Sequence, residues 1–73
     1  MPTYREIADS LAARIAAGEW APGERLPITK DIGTEYEVSE ATAYRALSLL
    51  VDRGLVRGEQ GRARFVAGGE SLT

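Results

Sequence analysis

Apolar and polar positions follow different rhythms along this 73-residue chain. Over residues 4–17, YREIADSLAARIAA, the apolar Tyr4, Ile7, Ala8, Leu11 and Ile15 recur three or four residues apart, while Arg5, Glu6, Asp9 and Arg14 fall off that stripe. Such spacing makes one face of an α-helix apolar. Pro2 marks its approach, and Gly18 directly after it is suited to stop it. The segment WAPGERLP then predicts a type II turn at Pro22-Gly23, because proline fixes a negative φ and glycine accepts a positive one. Arg25-Leu26 is expected to be a stub of strand. A short second helix is predicted from about Thr29 to Tyr36, with Ile32 and Tyr36 on one side and a mid-helix Gly33 that costs about 1 kcal/mol relative to alanine.

The strongest periodic signal is VSEATAYRALSLLVDRG. Ser39 is placed to cap the first turn and Glu40 to complement the positive helix end. Ala43, Ala46, Leu47, Leu50 and Val51 form the expected inward stripe until Gly54 ends the helix, which spans about 39–53. Beyond it the pattern changes to short apolar pairs, Leu55-Val56 and Phe65-Val66, around the turn-forming Glu59-Gln60-Gly61-Arg62, which reads as a β-hairpin. The expected fold is mainly α with a small β-hairpin, a three-helix winged helix-turn-helix whose wing is about residues 57–66. The domain occupies 1–67, and 68–73 is expected to be a disordered polar tail.

Composition narrows what such a domain can do. With 44% hydrophobic residues the chain is one small domain near the lower size limit for a stable core. It has no cysteine and no histidine. That removes disulfides, thiolate metal sites and the usual general base, so neither an enzyme nor a cofactor is expected. With no export signal or apolar run of membrane-spanning length, a cytoplasmic protein without membrane attachment is expected. The net charge is −2. A domain that grips phosphates over its whole surface is strongly basic, so any nucleic-acid contact here must be local.

The order and spacing of several pieces resemble the DNA-binding domain of the GntR family of bacterial transcription regulators. They are Tyr4, Ile7-Ala8, Leu11, Arg14-Ile15 and Gly18; Trp20, Pro22-Gly23 and Arg25-Leu26-Pro27; Val38-Ser39, Thr42-Ala43, Ala46-Leu47, Leu50 and Gly54-Leu55-Val56; then Gln60-Gly61-Arg62 and Phe65-Val66. The resemblance covers roughly residues 3–67 and implies a sequence-specific regulator that binds double-stranded DNA. It further implies a carboxy-terminal effector and dimerisation domain, for which only about seven residues follow the wing; because a single module offers a small interface, a homodimer at least on DNA is expected.

Departures from the family pattern bear on the site. Ile28 stands where a serine usually caps the second helix, and Lys30 keeps the basic position after it without arginine's bidentate fork. Glu40 and Tyr44 stand where arginines are usual, Arg45 remains, and a small pair in the wing has become Ala63-Arg64. Glu37 takes an inter-helix turn position that favours glycine, a strain of about 1 kcal/mol if its backbone is left-handed.

The candidate DNA-binding residues are Lys30, Ser39, Glu40, Ala41, Thr42, Tyr44, Arg45, Gly61, Arg62 and Arg64. Ser39 and Thr42 can hold a phosphate at a helix start, where Ser39 is equally a plain cap. Glu40 can accept from a cytosine amino group or merely complement the dipole. Tyr44 can meet a phosphate, a thymine methyl or a protein. Arg45 suits a guanine or a phosphate, and as a surface residue can equally be solvated. Arg57, Arg62 and Arg64 concentrate charge in the wing, for phosphate or the minor groove, and Gly61 shapes its tip. Trp20 and Phe65 are assigned to the core or its edge. Glu35, Glu37 and Glu40 form an acidic cluster at the turn that limits indiscriminate binding. Two rivals stay open: a winged-helix protein-interaction module, and an excisionase-like DNA-bending protein of a mobile element.

Overall fold

The computed structural model describes residues 2–59 and 63–68. Helix α1 spans Tyr4–Ala16 and starts with a reciprocal cap: the Glu6 amide donates to Thr3 Oγ1 at 3.2 Å, and the Thr3 amide to Glu6 Oε1 at 2.9 Å. Two of the amides that every helix start leaves unpaired are thereby satisfied. At the other end Gly18 adopts φ 87°, so the Glu19 amide reaches the Arg14 carbonyl and the Gly18 amide that of Ile15, both at 3.0 Å. The turn after it is closed by the Glu24 amide on the Ala21 carbonyl at 2.9 Å, with Gly23 at the expected positive φ of 84°.

Helix α2 spans Thr29–Tyr36 and helix α3 Glu40–Asp52, with Ser39 capping the latter. Strands β1, Val56–Glu59, and β2, Ala63–Val66, pair antiparallel with Val56 opposite Val66 and Gly58 opposite Arg64. The predicted strand stub is present as a bridge between Arg25 and Phe65, extended by the Leu26 amide on the Arg64 carbonyl at 2.8 Å. The segment before α2 is thereby tied to the hairpin. Ile7, Leu11, Ile32, Leu47 and Leu50 are fully buried at the centre, and Val56 and Val66 close the core from the hairpin.

Gly33 has a steric reason that composition does not reveal. A Cβ there would lie 3.0 Å from the Val38 carbonyl oxygen, tighter than nine in ten real Cβ contacts, so the missing side chain lets the turn into α3 press closely on α2. Three expectations require correction. Val51 does not join the inward stripe of α3: it is 37% exposed, because Ala43, Ala46, Leu47 and Leu50 complete the buried face and Val51 rolls past its edge. Phe65 is not in the core cluster; paired with Arg57 and bridged to Arg25, it lies on the sheet face opposite the buried Val56 and Val66. Arg14 falls off the apolar stripe as expected and is half-buried at the centre of a network. Glu35 belongs to that network rather than to an acidic cluster at the turn, since its carboxylate meets Arg14 at 3.0 Å. The expected tail from 69 onward lies outside the described residues.

Candidate nucleic-acid interface

Two groups of polar side chains stand out, one between α1 and α2 and one between α2, α3 and the hairpin. On the α1–α2 side, Arg14 donates to Tyr36 Oη at 3.0 Å and to the Glu19 carboxylate at 2.9 and 2.6 Å, meets Glu35, and lies 4.6 Å from the Trp20 ring centroid. Ser10 shares the Tyr36 hydroxyl at 2.9 Å. The Arg14 guanidinium holds the Glu19 carboxyl below the usual glutamate range, and the same bond raises Arg14 further above its already high value. Arg53 pairs with Asp9 at 3.0 Å. Two arginines are thus neutralised internally.

The other side is an open groove of about 520 Å³ between α2, α3 and the hairpin. Ile28, Tyr44 and Val51, at 46%, 56% and 37% exposure, are the exposed large hydrophobics among the described residues, and all three line it. That concentrates apolar exposure on one surface. Among the predicted site residues, Lys30, Glu40, Tyr44 and Arg64 also meet in this groove. Arg64 shares the core-side face of the hairpin with Val66, two residues on, and extends past the core to α2 and α3. Its Nη1 donates to Thr29 Oγ1 at 3.3 Å and its Cζ lies 5.2 Å from the Tyr44 ring centroid.

The remaining candidates are placed differently. Ser39 Oγ accepts the Thr42 amide at 3.2 Å and donates to Thr42 Oγ1 at 3.1 Å, so its cap role is realised and Thr42 keeps a hydroxyl proton to give. Ala41 is exposed on the first turn of α3. Arg45 is exposed too, but its guanidinium lies 4.6 Å from the Tyr4 ring centroid, at the α1 edge rather than in the groove. Arg5, and less strongly Arg45, hold the Tyr4 phenol below its usual value. Arg57 lies on the opposite face of the hairpin from Arg64, 5.4 Å from the Phe65 ring centroid. Gly61 and Arg62 lie outside the described residues.

Sequence reasoning missed Thr29, Ile28 and Val51 as groove residues, and it missed the meeting of Arg64 with Tyr44. None of these carried a signal in the sequence: Leu50 is fully buried and Val51 exposed, and which of the adjacent pair turns inward is settled by the elements packed on α3. Among the described residues no cluster of acidic, cysteine or histidine side chains could hold a metal ion, and no helix is long and apolar enough to cross a membrane.

Comparison with known proteins agrees with this geometry. The family model for bacterial regulatory proteins, gntR family, matches residues 3–66. The mannosyl-D-glycerate transport/metabolism system repressor MngR of Escherichia coli K12 is 40% identical over 65 residues, which is 89% of this chain and 27% of MngR. The HTH-type transcriptional repressor NagR of Bacillus subtilis is 34% identical over 67 residues, 92% of this chain and 28% of NagR. The chain therefore spans little more than a quarter of the length of these two relatives. Among solved structures, AraR(DBD) in complex with operator ORE1 superposes with a TM-score of 0.84 at 28% identity, covering 92% of this chain and 82% of that one. With a capped third helix beside a hairpin wing and a family model matched over nearly its whole length, the chain belongs to the gntR family of bacterial regulatory proteins.

Proposed function

We propose that this gntR-type regulator domain binds double-stranded DNA in a sequence-specific way, with α3 in the major groove and the wing on the backbone or minor groove. The likeness to AraR(DBD), which was solved with its operator, carries this reading. In it, α3 presents Ser39, Glu40, Ala41, Thr42 and Arg45 from its exposed start, with Tyr44 on its wing flank. Lys30 holds one phosphate strand; Arg62, Gly61 and Arg64 approach the other. The overall charge of −2 is no obstacle to a local contact, because DNA meets the side that carries Lys30 and Arg64, while Glu19, Glu35 and Asp9 are held against Arg14 and Arg53 elsewhere. Selection from a random duplex pool, followed by titration of the enriched site with salt, tests it. Phosphate contact by roughly three to five side chains gives a steep fall of affinity with salt, whereas a flat response overturns the proposal.

A single module offers a small interface, so two copies on a repeated or palindromic site are proposed for useful affinity. Sedimentation with a two-half-site duplex that gave only 1:1 complexes would contradict this. A second reading, docking of a protein partner in the groove, is favoured by the exposure of Ile28, Tyr44 and Val51. Weak salt dependence together with no enriched duplex would favour it over DNA.

A further inference from the structure

Tyr44 and Arg64 come from different elements, 20 positions apart in sequence, yet their side chains meet. Arg64 is anchored at two points, the Thr29 hydroxyl on α2 at 3.3 Å and the Tyr44 ring on α3 at 5.2 Å. Both anchors are neutral. Arg14, the contrasting case, gives its charge to the carboxylates of Glu19 and Glu35. A guanidinium held by a hydroxyl and a ring face is restricted in its rotamers but keeps its net charge and most of its five donors for an anion. The hairpin itself favours this placement: Gly58, directly across from Arg64, has no side chain to fill the floor of the groove, and a Cβ there would reach Val51 Cγ2 at 4.0 Å.

We propose, resting on the DNA-binding reading above, that Tyr44 is a positioning residue: its ring holds the wing guanidinium of Arg64 beside the recognition helix, where that guanidinium meets a DNA phosphate. Tyr44 then contributes to affinity through Arg64 rather than by reading a base. Glu40 and Asp52 line the same groove and repel an incoming phosphate, so a cation fixed on this flank offsets charge that α3 itself supplies. The ring does what it does by its face; the phenol hydroxyl is dispensable.

The test exploits the absence of charge on Tyr44. Affinity of the chain for its selected duplex is measured against salt for the wild type, Tyr44→Phe, Tyr44→Ala, Arg64→Ala and the double alanine variant. Arg64→Ala is expected to weaken binding about tenfold and to lower the salt slope by about one. Tyr44→Ala, although it removes no charge, is expected to lower the slope as well and leave the ranking of duplex sequences unchanged. The double variant should bind no worse than Arg64→Ala alone, and Tyr44→Phe should keep the wild-type slope. A Tyr44→Ala variant that keeps the full slope and changes the preferred bases overturns the proposal, as does an additive loss in the double variant.

A second measurement needs no DNA. In the free protein the Arg64 side-chain protons should show a ring-current shift that Tyr44→Phe retains and Tyr44→Ala loses; no such shift in the wild type also overturns the proposal. Failure of the wild type to bind any duplex would instead sink the DNA reading, and this inference with it.

Discussion

Arg14 and Arg64 are the same residue put to opposite uses. Arg14 lies between α1, α2 and the first turn, bonded to Glu19, Glu35 and Tyr36 and stacked on Trp20. Arg64 lies between the wing, α2 and α3 with a hydroxyl and a ring for company. The first serves the fold, because its partners absorb its charge; the second leaves its charge at the surface. For an acidic domain that meets a polyanion, the number of arginines therefore decides less than the partners each one is given. Helix ends show a parallel contrast. Helices α1 and α3 have side-chain caps at their starts and glycine at their ends, whereas α2, which borders the groove, has neither: Ile28 makes no cap bond and Glu37 ends the helix at φ 59°.

The contrast can be broken first at Arg14. Arg14→Ala removes the shared partner of Tyr36, Glu19 and Glu35 at a side chain only 24% exposed, and is expected to destabilise by about 2 kcal/mol with the salt slope of DNA binding unchanged. Chemical denaturation and the same salt titration check both halves; a reduced slope would erase the distinction from Arg64. Gly33→Ala should also cost about 2 kcal/mol, opposite in sign to the gain that helix propensity alone assigns to alanine, because the new methyl meets the Val38 carbonyl. A more stable variant in thermal unfolding would show that the turn yields.

The weak ends of α2 give the next effects. Glu37→Gly relieves a left-handed non-glycine residue and is expected to raise stability by about 1 kcal/mol. The bonds of that end, Val38 amide to Gly33 carbonyl at 2.9 Å and Glu37 amide to Thr34 carbonyl at 3.3 Å, repeat the pattern that glycine supports after α1 and α3. Ile28→Ser supplies the missing cap and should add about 0.5–1 kcal/mol, read as an upward shift of the unfolding midpoint; no shift would mean that the start of α2 is already satisfied by solvent. The smallest effect is a pH dependence. Glu19 is held below its ordinary range by Arg14, so its contribution is present above the glutamate range and fades as pH falls through the depressed folded value. Glu19→Gln should therefore differ from the wild type at neutral pH and converge on it in acid, as measured by unfolding midpoints across that range.

Much of the fold was legible before any coordinates. The bounds of α2, the stripe of α1, the Ser39 cap, the Pro22-Gly23 turn and the pairing of the hairpin all follow from signals a few residues apart, and the structure has them where they were expected. The reciprocal cap of Thr3 and Glu6 was equally readable, since threonine followed three residues later by glutamate is its signature. Phe65 and Val51 went astray because pairs of apolar residues at the edge of an element do not say which member turns inward; the element across the gap chooses.

The sequence by itself determined the element order, the helix stops and the family, because periodicity, caps and turn residues act within one or two turns of backbone. The tertiary structure alone decided which charges remain available. Arg14 reaches Glu35 and Tyr36, Arg45 reaches Tyr4, and Arg64 reaches Thr29 and Tyr44 only once α1, α2, α3 and the wing have docked. A side chain's electrostatic role is set by whatever comes within a few ångströms of its end, and for these arginines that is a residue of another element, brought there by burial of the common core.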